Sequence, residues 1–266
     1  MISTTQWIFG WAAAAGVAWG AYRAKALDRS GAWAALVVGG VIFAMGGWAW
    51  ACLLMVFFVS SSALSRAFAR RKRALSEKFS KGHRRDWAQV AANGVLATIF
   101  AALHAWLPQA SWLWVAFGGA LAAVNADTWA TEIGVLAQST PRHVLTGRAV
   151  PRGTSGGVSG LGFAAALAGA ALIGGCAWIG HATGKAFAAI ALGGWLGALL
   201  DSVLGATVQA IYYCPQCDKE TEHTPTHTCG TPTLWRRGWR WMNNDMVNFL
   251  ASLVGAVVAV GVFLLI

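Results

Sequence analysis

The sequence has few charged residues, and acidic residues are the scarcest of them. Only 11% of the 266 residues are Asp, Glu, Lys or Arg, whereas 57% are hydrophobic. A soluble domain has about 25% charged residues, so the composition excludes a soluble protein and predicts an integral membrane protein. Charged blocks and low-complexity tails are also absent from the sequence, which argues against long disordered segments. Apolar runs cover most of the chain and leave no room for a large soluble domain.

The excess of basic residues gives a net charge of +10, and almost all of them lie in short loops. The loops 23–29, 66–85, 138–153 and 214–245 contain every Lys and Arg except Lys185. Basic loops on the cytoplasmic side are typical of membrane proteins. The charge therefore predicts membrane lipids as the surroundings and no nucleic-acid partner, although some of these bases are available to bind phosphate groups.

The apolar runs predict an all-α, polytopic transmembrane helix bundle. A helix crosses the hydrocarbon with about 20 residues. The predicted spans are 6–22, 87–107, 111–137, 156–181, 185–212 and 246–265. The first run has no basic segment before it, so we interpret it as a retained span rather than a signal peptide.

The stretch 31–62 is too long for one ordinary span, and Gly46 and Gly47 predict a turn in its middle. Two spans there place all four basic loops on one side, whereas a single span places loop 23–29 opposite the others. The positive-inside rule therefore favours about eight spans, with seven as the alternative. This predicts a single membrane domain, 1–266, in the cytoplasmic membrane, with both termini outside and short cytoplasmic loops.

Three acidic residues, Asp127, Glu132 and Asp201, lie inside apolar stretches. A charge at the bilayer centre costs roughly 2.5–3.5 kcal/mol on insertion scales, so these are candidate catalytic residues. Carboxylates held close together bind Mg²⁺, with substrate phosphates completing its shell. A transport or relay role and a buried polar network are the alternatives. Five positions apart, Asp127 and Glu132 do not share a helix face, which predicts either a broken helix or two walls of a cavity.

A loop rich in glycine and hydroxyl groups precedes the sixth predicted span. Glycines let backbone N–H groups approach phosphate oxygens, and a helix N-terminus favours anions. The Gly-Lys-Ser/Thr ending of a Walker motif is absent from this loop, and tight packing through small residues is the alternative reading. The candidate phosphate-binding residues here are Arg148, Arg152, Gly153, Thr154, Ser155, Gly156, Gly157 and Ser159.

Further polar residues lie near the ends of other predicted spans. The run of Asn and Asp at the start of the eighth span exceeds what a helix cap needs, so it is a candidate site for a nucleotide base, ribose or metal, with capping as the alternative. The additional candidates for nucleotide or phosphate binding are Arg85, Asn93, Asn125, Gln209, Asn243, Asn244, Asp245 and Asn248.

The last loop, 214–245, has the ligands of a small zinc site. Its candidates for Zn²⁺ are Cys214, Cys217, His227 and Cys229. The predicted cytoplasmic location is reducing, which argues against disulfides. The second half of a zinc site is usually a second pair, and here it is only His-x-Cys. A redox pair is the alternative, although no thioredoxin-like pattern surrounds it.

Motifs along almost the whole chain resemble one family. They read KALDRSG at 25–31, NADTWATEIG at 125–134, PRGTSGGVSG at 151–160, DSVLGATVQ at 201–209 and NNDMVN at 243–248. They resemble the integral membrane family that includes plant phytyl-phosphate kinase, a CTP-dependent isoprenoid-phosphate kinase. The resemblance implies phosphate transfer from a nucleoside triphosphate, with CTP favoured, to an isoprenoid monophosphate such as phytyl-, geranylgeranyl- or farnesyl-phosphate, giving the diphosphate.

The resemblance also implies roles for particular residues. Asp127, Glu132 and Asp201 would hold Mg²⁺, the loop 153–159 would cradle phosphates, and the Asn residues of 243–248 would complete the site. The active site would face the cytoplasm. The alternatives are a membrane transporter of an anion or lipid phosphate, and a lipid-phosphate cytidylyltransferase or phosphatase.

Overall fold

The computed structural model describes residues 3–72, 84–180 and 183–266, and these form eight α-helices. The helices are α1 Thr4–Arg23, α2 Arg29–Val41, α3 Trp48–Lys72, α4 Trp87–Trp106, α5 Ser111–Gly134, α6 Gly160–Gly180, α7 Gly184–Thr207 and α8 Asn244–Leu265. Six helical segments are long and apolar enough to cross a membrane by length and composition: Arg29–Gly46, Trp48–Phe68, Trp87–Trp106, Gly160–Ile179, Gly184–Thr207 and Asn244–Leu265. The predicted polytopic helical membrane fold is confirmed.

The ambiguous stretch 31–62 divides where its glycine pair predicts a turn. Asp28 begins α2 by accepting a hydrogen bond from the Gly31 backbone N–H at 2.7 Å. A π-helical turn, Ile42–Gly46, continues α2, and the chain then reverses at Gly47, whose φ is +83°. A residue other than glycine rarely adopts that φ. Glycine at position 47 therefore allows α3 to begin directly after the turn. The stretch therefore forms two helical segments.

The helix α5 lies at the centre of the bundle. It packs against α3, α4, α6, α7 and α8, and its middle, from Val115 to Ala126, is buried on every side. A helix that is apolar all round is one that neighbours surround. This explains why the helix that carries Asp127 and Glu132 shows no amphipathic stripe in the sequence.

Glycines bring the backbones of α5, α7 and α8 into direct contact. A Cβ atom added at Gly193 of α7 would lie 2.5 Å from the carbonyl oxygen of Gly255 in α8. A Cβ atom added at Gly119 of α5 would lie 2.6 Å from the same oxygen. Small residues at such crossings permit close van der Waals packing between membrane helices. The Gly119–Gly193–Gly255 contact therefore determines how closely these three helices approach one another.

The loops meet at one end of the bundle. The Arg85 N–H donates to the Ala26 carbonyl, and the Asp28 N–H donates to the Arg85 carbonyl, both at 3.0 Å, so the loop before α2 joins the loop before α4. Arg85 in turn lines a cavity together with Arg152 and Glu222 from the two later loops. Described residues of all four basic loops thus lie at one end of the bundle. Residues 73–83 of the second basic loop lie outside the described part of the chain.

Short strands occur in the two long loops, in addition to the predicted helices. The strands β1 (Arg142–His143) and β2 (Gly157–Val158) pair antiparallel between α5 and α6. Between α7 and α8, the strands β3 (Ile211–Cys214), β4 (Lys219–Thr221) and β5 (Leu234–Arg237) form an antiparallel sheet in the order β4-β3-β5. The strands are two to four residues long, too short for a hydropathy pattern to reveal.

Replacing Gly193 by alanine tests the glycine contact. The added methyl group meets backbone and Cβ atoms of α8 at less than 3 Å, and overpacking of this kind costs about 1–3 kcal/mol. We expect Gly193→Ala to lower the thermal unfolding midpoint in detergent. The matched control is Gly175→Ala in α6, where no atom lies within 4 Å of the added Cβ. Equal midpoints for the two variants would show that the contact is not tight.

Candidate functional site

A polar cavity of about 490 Å³ opens at the loop end of the bundle. Helices α3 to α8 and both long loops contribute to its wall. Most of the sequence-predicted site residues line it: Arg85, Asn93, Asp127, Glu132, Arg152, Gly153, Thr154, Ser155, Gly156, Gly157, Ser159, Asp201, Gln209, Asn244 and Asn248. Residues that are far apart in the chain therefore share one space.

The acidic residues enter this cavity from two helices. Asp127 and Glu132 belong to α5, which is unbroken from Ser111 to Gly134, and Asp201 belongs to α7. The predicted helix break is therefore absent, and the alternative arrangement, two walls of a cavity, is present. Glu132 is 6% exposed and accepts a hydrogen bond from Ser65 Oγ at 2.8 Å.

The carboxylates divide into two electrostatic environments. Asp201 interacts repulsively with Asp127 and with Glu222. Its Oδ2 atom is buried and has no hydrogen-bond partner among the described residues. Glu132, in contrast, attracts the Arg85 guanidinium. Like charges held together disfavour ionisation unless a cation neutralises them. The unpartnered Oδ2 of Asp201, together with Asp127, fits the one or two carboxylates that hold Mg²⁺ beside substrate phosphates.

Glu222 is a cavity residue that the sequence analysis missed. It follows β4, and its Oε1 accepts hydrogen bonds from Gln209 Nε2 at 2.8 Å and from Ser155 Oγ at 3.2 Å. These bonds join the loop after α7 to the glycine-rich loop before α6. In the sequence, Glu222 is marked only by its position two residues after Glu220. Pairing of β4 with β3 brings Glu222 to the cavity, and no local pattern predicts that pairing.

The glycine-rich loop lies against α7 and ends at the N-terminus of α6. Gly156 has a φ of +80°, and a Cβ there would lie 2.4 Å from the Ala206 Cβ, so only glycine permits this approach. Ser159 Oγ accepts from the Gly162 N–H at 3.1 Å and caps α6. Thr154 Oγ1 donates to the Pro151 carbonyl at 2.7 Å. The Thr154 hydroxyl proton is therefore engaged within the loop, whereas the Ser159 O–H, backbone N–H groups and the helix N-terminus are features that can bind an anion.

Arg152 also stabilises this loop. Its Nη2 atom donates to the Ala137 carbonyl at 2.6 Å and to the Gln138 carbonyl at 3.1 Å. These are the carbonyls just beyond the end of α5, where a cation complements the helix dipole. The Arg152 side chain thus ties the loop to the helix that carries Asp127 and Glu132.

Four predicted binding residues, Asn125, Arg148, Asn243 and Asp245, are not among the described residues that line the cavity. Asn243 caps α8 by accepting from the Met246 N–H at 3.0 Å, and Asp245 occupies the first turn of that helix. Arg148 is exposed in the turn between β1 and β2. The binding roles of these four residues stay predictions, and for Asn243 the capping alternative is observed.

Asn125 connects three helices through its side-chain amide. It is fully buried, and its Oδ1 accepts from Ser60 Oγ at 2.9 Å and from Ser61 Oγ at 3.1 Å, both on α3. Its Nδ2 donates to the Gly169 carbonyl of α6 at 2.8 Å. Interhelical hydrogen bonds of this kind stabilise membrane bundles. This hydrogen-bond network explains why the motif has an asparagine at position 125, two residues before Asp127.

A second cavity, of about 210 Å³, lies among α1, α2, α3 and α4 and is lined almost entirely by apolar side chains. Arg85 and Asn93 belong to the walls of both cavities. Asn93 Oδ1 is buried and makes no hydrogen bond to any described residue. Arg85 and Asn93 therefore lie at the junction where the polar cavity meets the apolar cavity.

Arg85 carries a positive charge at this junction. Its guanidinium lies 5.4 Å from the Phe57 ring and 5.8 Å from the Phe58 ring, within the range of cation–π interactions. Burial lowers the pKa of Arg85 from its ordinary value to about 10, and the carboxylate of Glu132 opposes that shift. The side chain thus stays cationic at neutral pH, where it can bind a phosphate group.

The four candidate zinc ligands also come together in the structure. Cys214, Cys217, His227 and Cys229 place their ligand atoms within 4.8 Å of one another. They belong to the loop that contains β3, β4 and β5.

Residues 12–256 match the model of the family described as integral membrane protein DUF92. The chain belongs to this family. The match confirms the membership that the motifs indicate, and the site residues described above all fall within the matched range.

Several relatives align with this DUF92 protein over most of its length. It is 31% identical to Protein PGR of Arabidopsis thaliana over 270 residues, covering 91% of this chain and 93% of that protein. It is 26% identical to an uncharacterized membrane protein of Methanocaldococcus jannaschii, covering 91% and 87%. It is 27% identical to Protein VTE6, chloroplastic, of Arabidopsis thaliana, covering 88% and 64%. No solved structure matches the chain.

Asn125→Ala tests the structural role of this side chain. Removing the amide breaks its interhelical hydrogen bonds to Ser60, Ser61 and Gly169 and takes this partner from the buried Ser61 hydroxyl. A buried polar group that loses its partner costs about 1–3 kcal/mol. We expect a lower thermal unfolding midpoint in detergent. The control is Thr98→Ala, which removes a hydrogen bond within one helix, to the Gly94 carbonyl. If Asn125→Ala unfolds at the wild-type temperature, the three-helix link is not stabilising.

Proposed function

We propose that the protein is a membrane kinase that transfers the terminal phosphate of a nucleoside triphosphate, CTP in preference, to an isoprenoid monophosphate. The observation that carries this proposal is the junction of the two cavities at Arg85 and Asn93. A substrate with an apolar chain and a phosphate head matches this pair of cavities, because its chain suits the apolar cavity and its head suits the polar one. The motif resemblance to the family of plant phytyl-phosphate kinase supports the same reaction.

The acceptor lipid occupies both spaces. Its prenyl chain lies in the apolar cavity between α1 and α4, and its phosphate reaches the polar cavity at the junction. The guanidinium of Arg85 binds the phosphate oxygens, since its planar donors suit a phosphate group. The side-chain amide of Asn93, whose Oδ1 is buried, can donate from Nδ2 to the same phosphate.

The donor nucleotide binds on the opposite side of the polar cavity. Its phosphates approach the backbone N–H groups of Gly153, Ser155 and Gly156 and the N-terminus of α6. Asn244 and Asn248, on the first turns of α8, face the same cavity and bind the nucleoside. Asp127, Asp201 and Glu222 would hold Mg²⁺, which supplies charge neutralisation for the donor phosphates.

Positioning and charge stabilisation account for the reaction. The bond between the terminal phosphorus and its bridging oxygen breaks, and the electron pair leaves with the nucleoside diphosphate. An oxygen of the acceptor phosphate forms the new bond to that phosphorus, giving the prenyl diphosphate. The acceptor is an ionised phosphate monoester and needs little help from a base. No histidine is among the described residues that line the cavity, which is consistent with such an acceptor.

Nucleotide access requires that the loop end of the bundle face the cytoplasm. The basic residues gathered at this end support that orientation by the positive-inside rule. The Arg85 side chain and the anion-binding loop then lie on the side where nucleoside triphosphates occur. The prenyl chain meanwhile stays at membrane depth, among helices.

The reaction can be tested with purified protein, Mg²⁺, CTP and phytyl- or geranylgeranyl-phosphate. We expect CDP and the prenyl diphosphate as products, and use of added CTP by inverted but not right-side-out membrane vesicles. Asp201→Asn and Glu222→Gln should lower kcat by about a hundredfold, as expected when a group that stabilises transition-state charge is lost. Glu220→Gln is the matched control, since Glu220 pairs with Arg236 at the surface at 3.1 Å.

Other outcomes of this experiment contradict the kinase. Release of pyrophosphate from CTP identifies a cytidylyltransferase, and release of inorganic phosphate from the lipid without nucleotide identifies a phosphatase. Uptake of a lipid phosphate or anion into proteoliposomes without nucleotide consumption identifies a transporter. Full activity of Asp201→Asn and Glu222→Gln would remove the metal assignment while leaving the reaction in place.

Neighbouring alanines of α1 test the acceptor cavity. Ala13 lines it, whereas Ala12 is exposed on the outer side of the helix. A phenyl group at position 13 displaces part of the prenyl chain, and losing contact with about two methylene groups raises KM about tenfold. We expect Ala13→Phe to raise KM for geranylgeranyl-phosphate but not for the short dimethylallyl-phosphate. Ala12→Phe should change neither value, and equal behaviour of the two variants would place the chain elsewhere.

A further inference from the structure

The four residues Cys214, Cys217, His227 and Cys229 form a compact group outside the polar cavity. The Sγ atoms of Cys214 and Cys229 are 3.6 Å apart. His227 Nδ1 lies 3.5 Å from Cys217 Sγ and 3.3 Å from Cys229 Sγ. Cys214 is fully buried and His227 is 3% exposed, so the group is shielded from solvent on one side.

These separations match those of a tetrahedral zinc shell. With Zn–S of about 2.3 Å and Zn–N of about 2.0–2.1 Å, tetrahedral angles place two sulfurs about 3.8 Å apart and a sulfur and a nitrogen about 3.6 Å apart. The observed distances of 3.6, 3.5 and 3.3 Å lie within a few tenths of an ångström of those values. The cysteines are free thiols in the structure rather than disulfide partners.

Two similar turns supply the ligands. The first reads CPQCD at 214–218 and joins β3 to β4, and Asp218 after its second ligand has a φ of +50°. The second reads HTCG at 227–230, and Gly230 after its second ligand has a φ of +84°. Non-glycine residues are uncommon at positive φ, and Asp is among those that tolerate it. The pair His227 and Cys229 is thus the second half of the site that the sequence left incomplete.

We propose that Cys214, Cys217, His227 and Cys229 bind one zinc ion as a structural site. Thiolate ligands with one imidazole select zinc over the hard cation expected in the polar cavity. Four protein ligands close the coordination shell, which is the arrangement of structural rather than catalytic zinc. The proposal does not depend on the identity of the reaction in the polar cavity.

The small sheet explains why a metal is needed here. Most residues of β4 and β5 are exposed, and the three strands have four residues or fewer. Only Ile211, Cys214 and Thr221 of these strands are buried, and so small an apolar contact adds little to the stability of a few short strands in water. Zinc fixes the hairpin of β3 and β4, which ends at Glu222, and so positions Glu222 for its hydrogen bonds to Gln209 and Ser155.

Metal analysis of purified protein tests the site. The full chain is purified in detergent under reducing conditions, without chelators and without a polyhistidine tag, and its zinc is measured by mass spectrometry. We expect close to one zinc ion per chain, and loss of most of it in Cys217→Ser and in His227→Gln. The matched control, Cys176→Ser in α6, changes a cysteine outside the group and should retain zinc. Wild-type protein that is free of zinc and takes up none on addition overturns the proposal.

Cobalt substitution of the wild-type chain gives a second test, in case the ligand variants fail to fold. Cells grown with Co²⁺ in place of zinc should yield protein with the visible absorption and the sulfur-to-cobalt charge-transfer band of tetrahedral thiolate coordination. Protein without bound cobalt, or with the weak spectrum of octahedral cobalt, contradicts the site. A disulfide between Cys214 and Cys217, mapped in protein kept from air, would also overturn the proposal.

Discussion

The close packing of α5, α7 and α8 at Gly119, Gly193 and Gly255 is the contact on which the site depends. Asp127 and Asp201 each lie eight residues beyond a glycine of this contact, Gly119 in α5 and Gly193 in α7. At 1.5 Å per residue, both acids stand about 12 Å from the crossing in the same direction. Because α5 and α7 are in close contact at this crossing, the carboxylates of Asp127 and Asp201 lie at the same depth in the bundle. A bulkier residue at the crossing would separate the helices and the acids together.

Electrostatic partners make these acids tolerable in a membrane helix bundle. A carboxylate at the bilayer centre is costly, but here the acids face a polar cavity at the loop end rather than lipid. Glu132 has the Arg85 guanidinium and the Ser65 hydroxyl nearby. Asp201 is repelled by Asp127 and by Glu222. The divalent cation that we propose there would reduce this repulsion and so lower the cost of burial.

Arg85 lies where the polar cavity meets the apolar cavity in which we propose that the lipid binds. It lies in a segment bonded to the loop before α2, at the point where the apolar cavity meets the polar one. A cation held between aromatic rings and a carboxylate is well placed to keep a phosphate head at the boundary while an apolar chain remains among the helices. The amphiphilic substrate that we propose follows from this boundary rather than from either cavity alone.

Hydropathy, charge placement and motifs along the chain were sufficient to predict the membrane class, the helical fold, the split at Gly47, the family and many of the residues that line the polar cavity. These features are local, because spans, turns and helix ends depend on residues within a few turns of one another. Glu222, the linking role of Asn125 and the apolar cavity were not predictable in this way. Each depends on contacts with segments that are distant in the chain, as Glu222 contacts Ser155 and Asn125 contacts Ser60 and Gly169. Those contacts form only when helix packing and strand pairing bring the segments together.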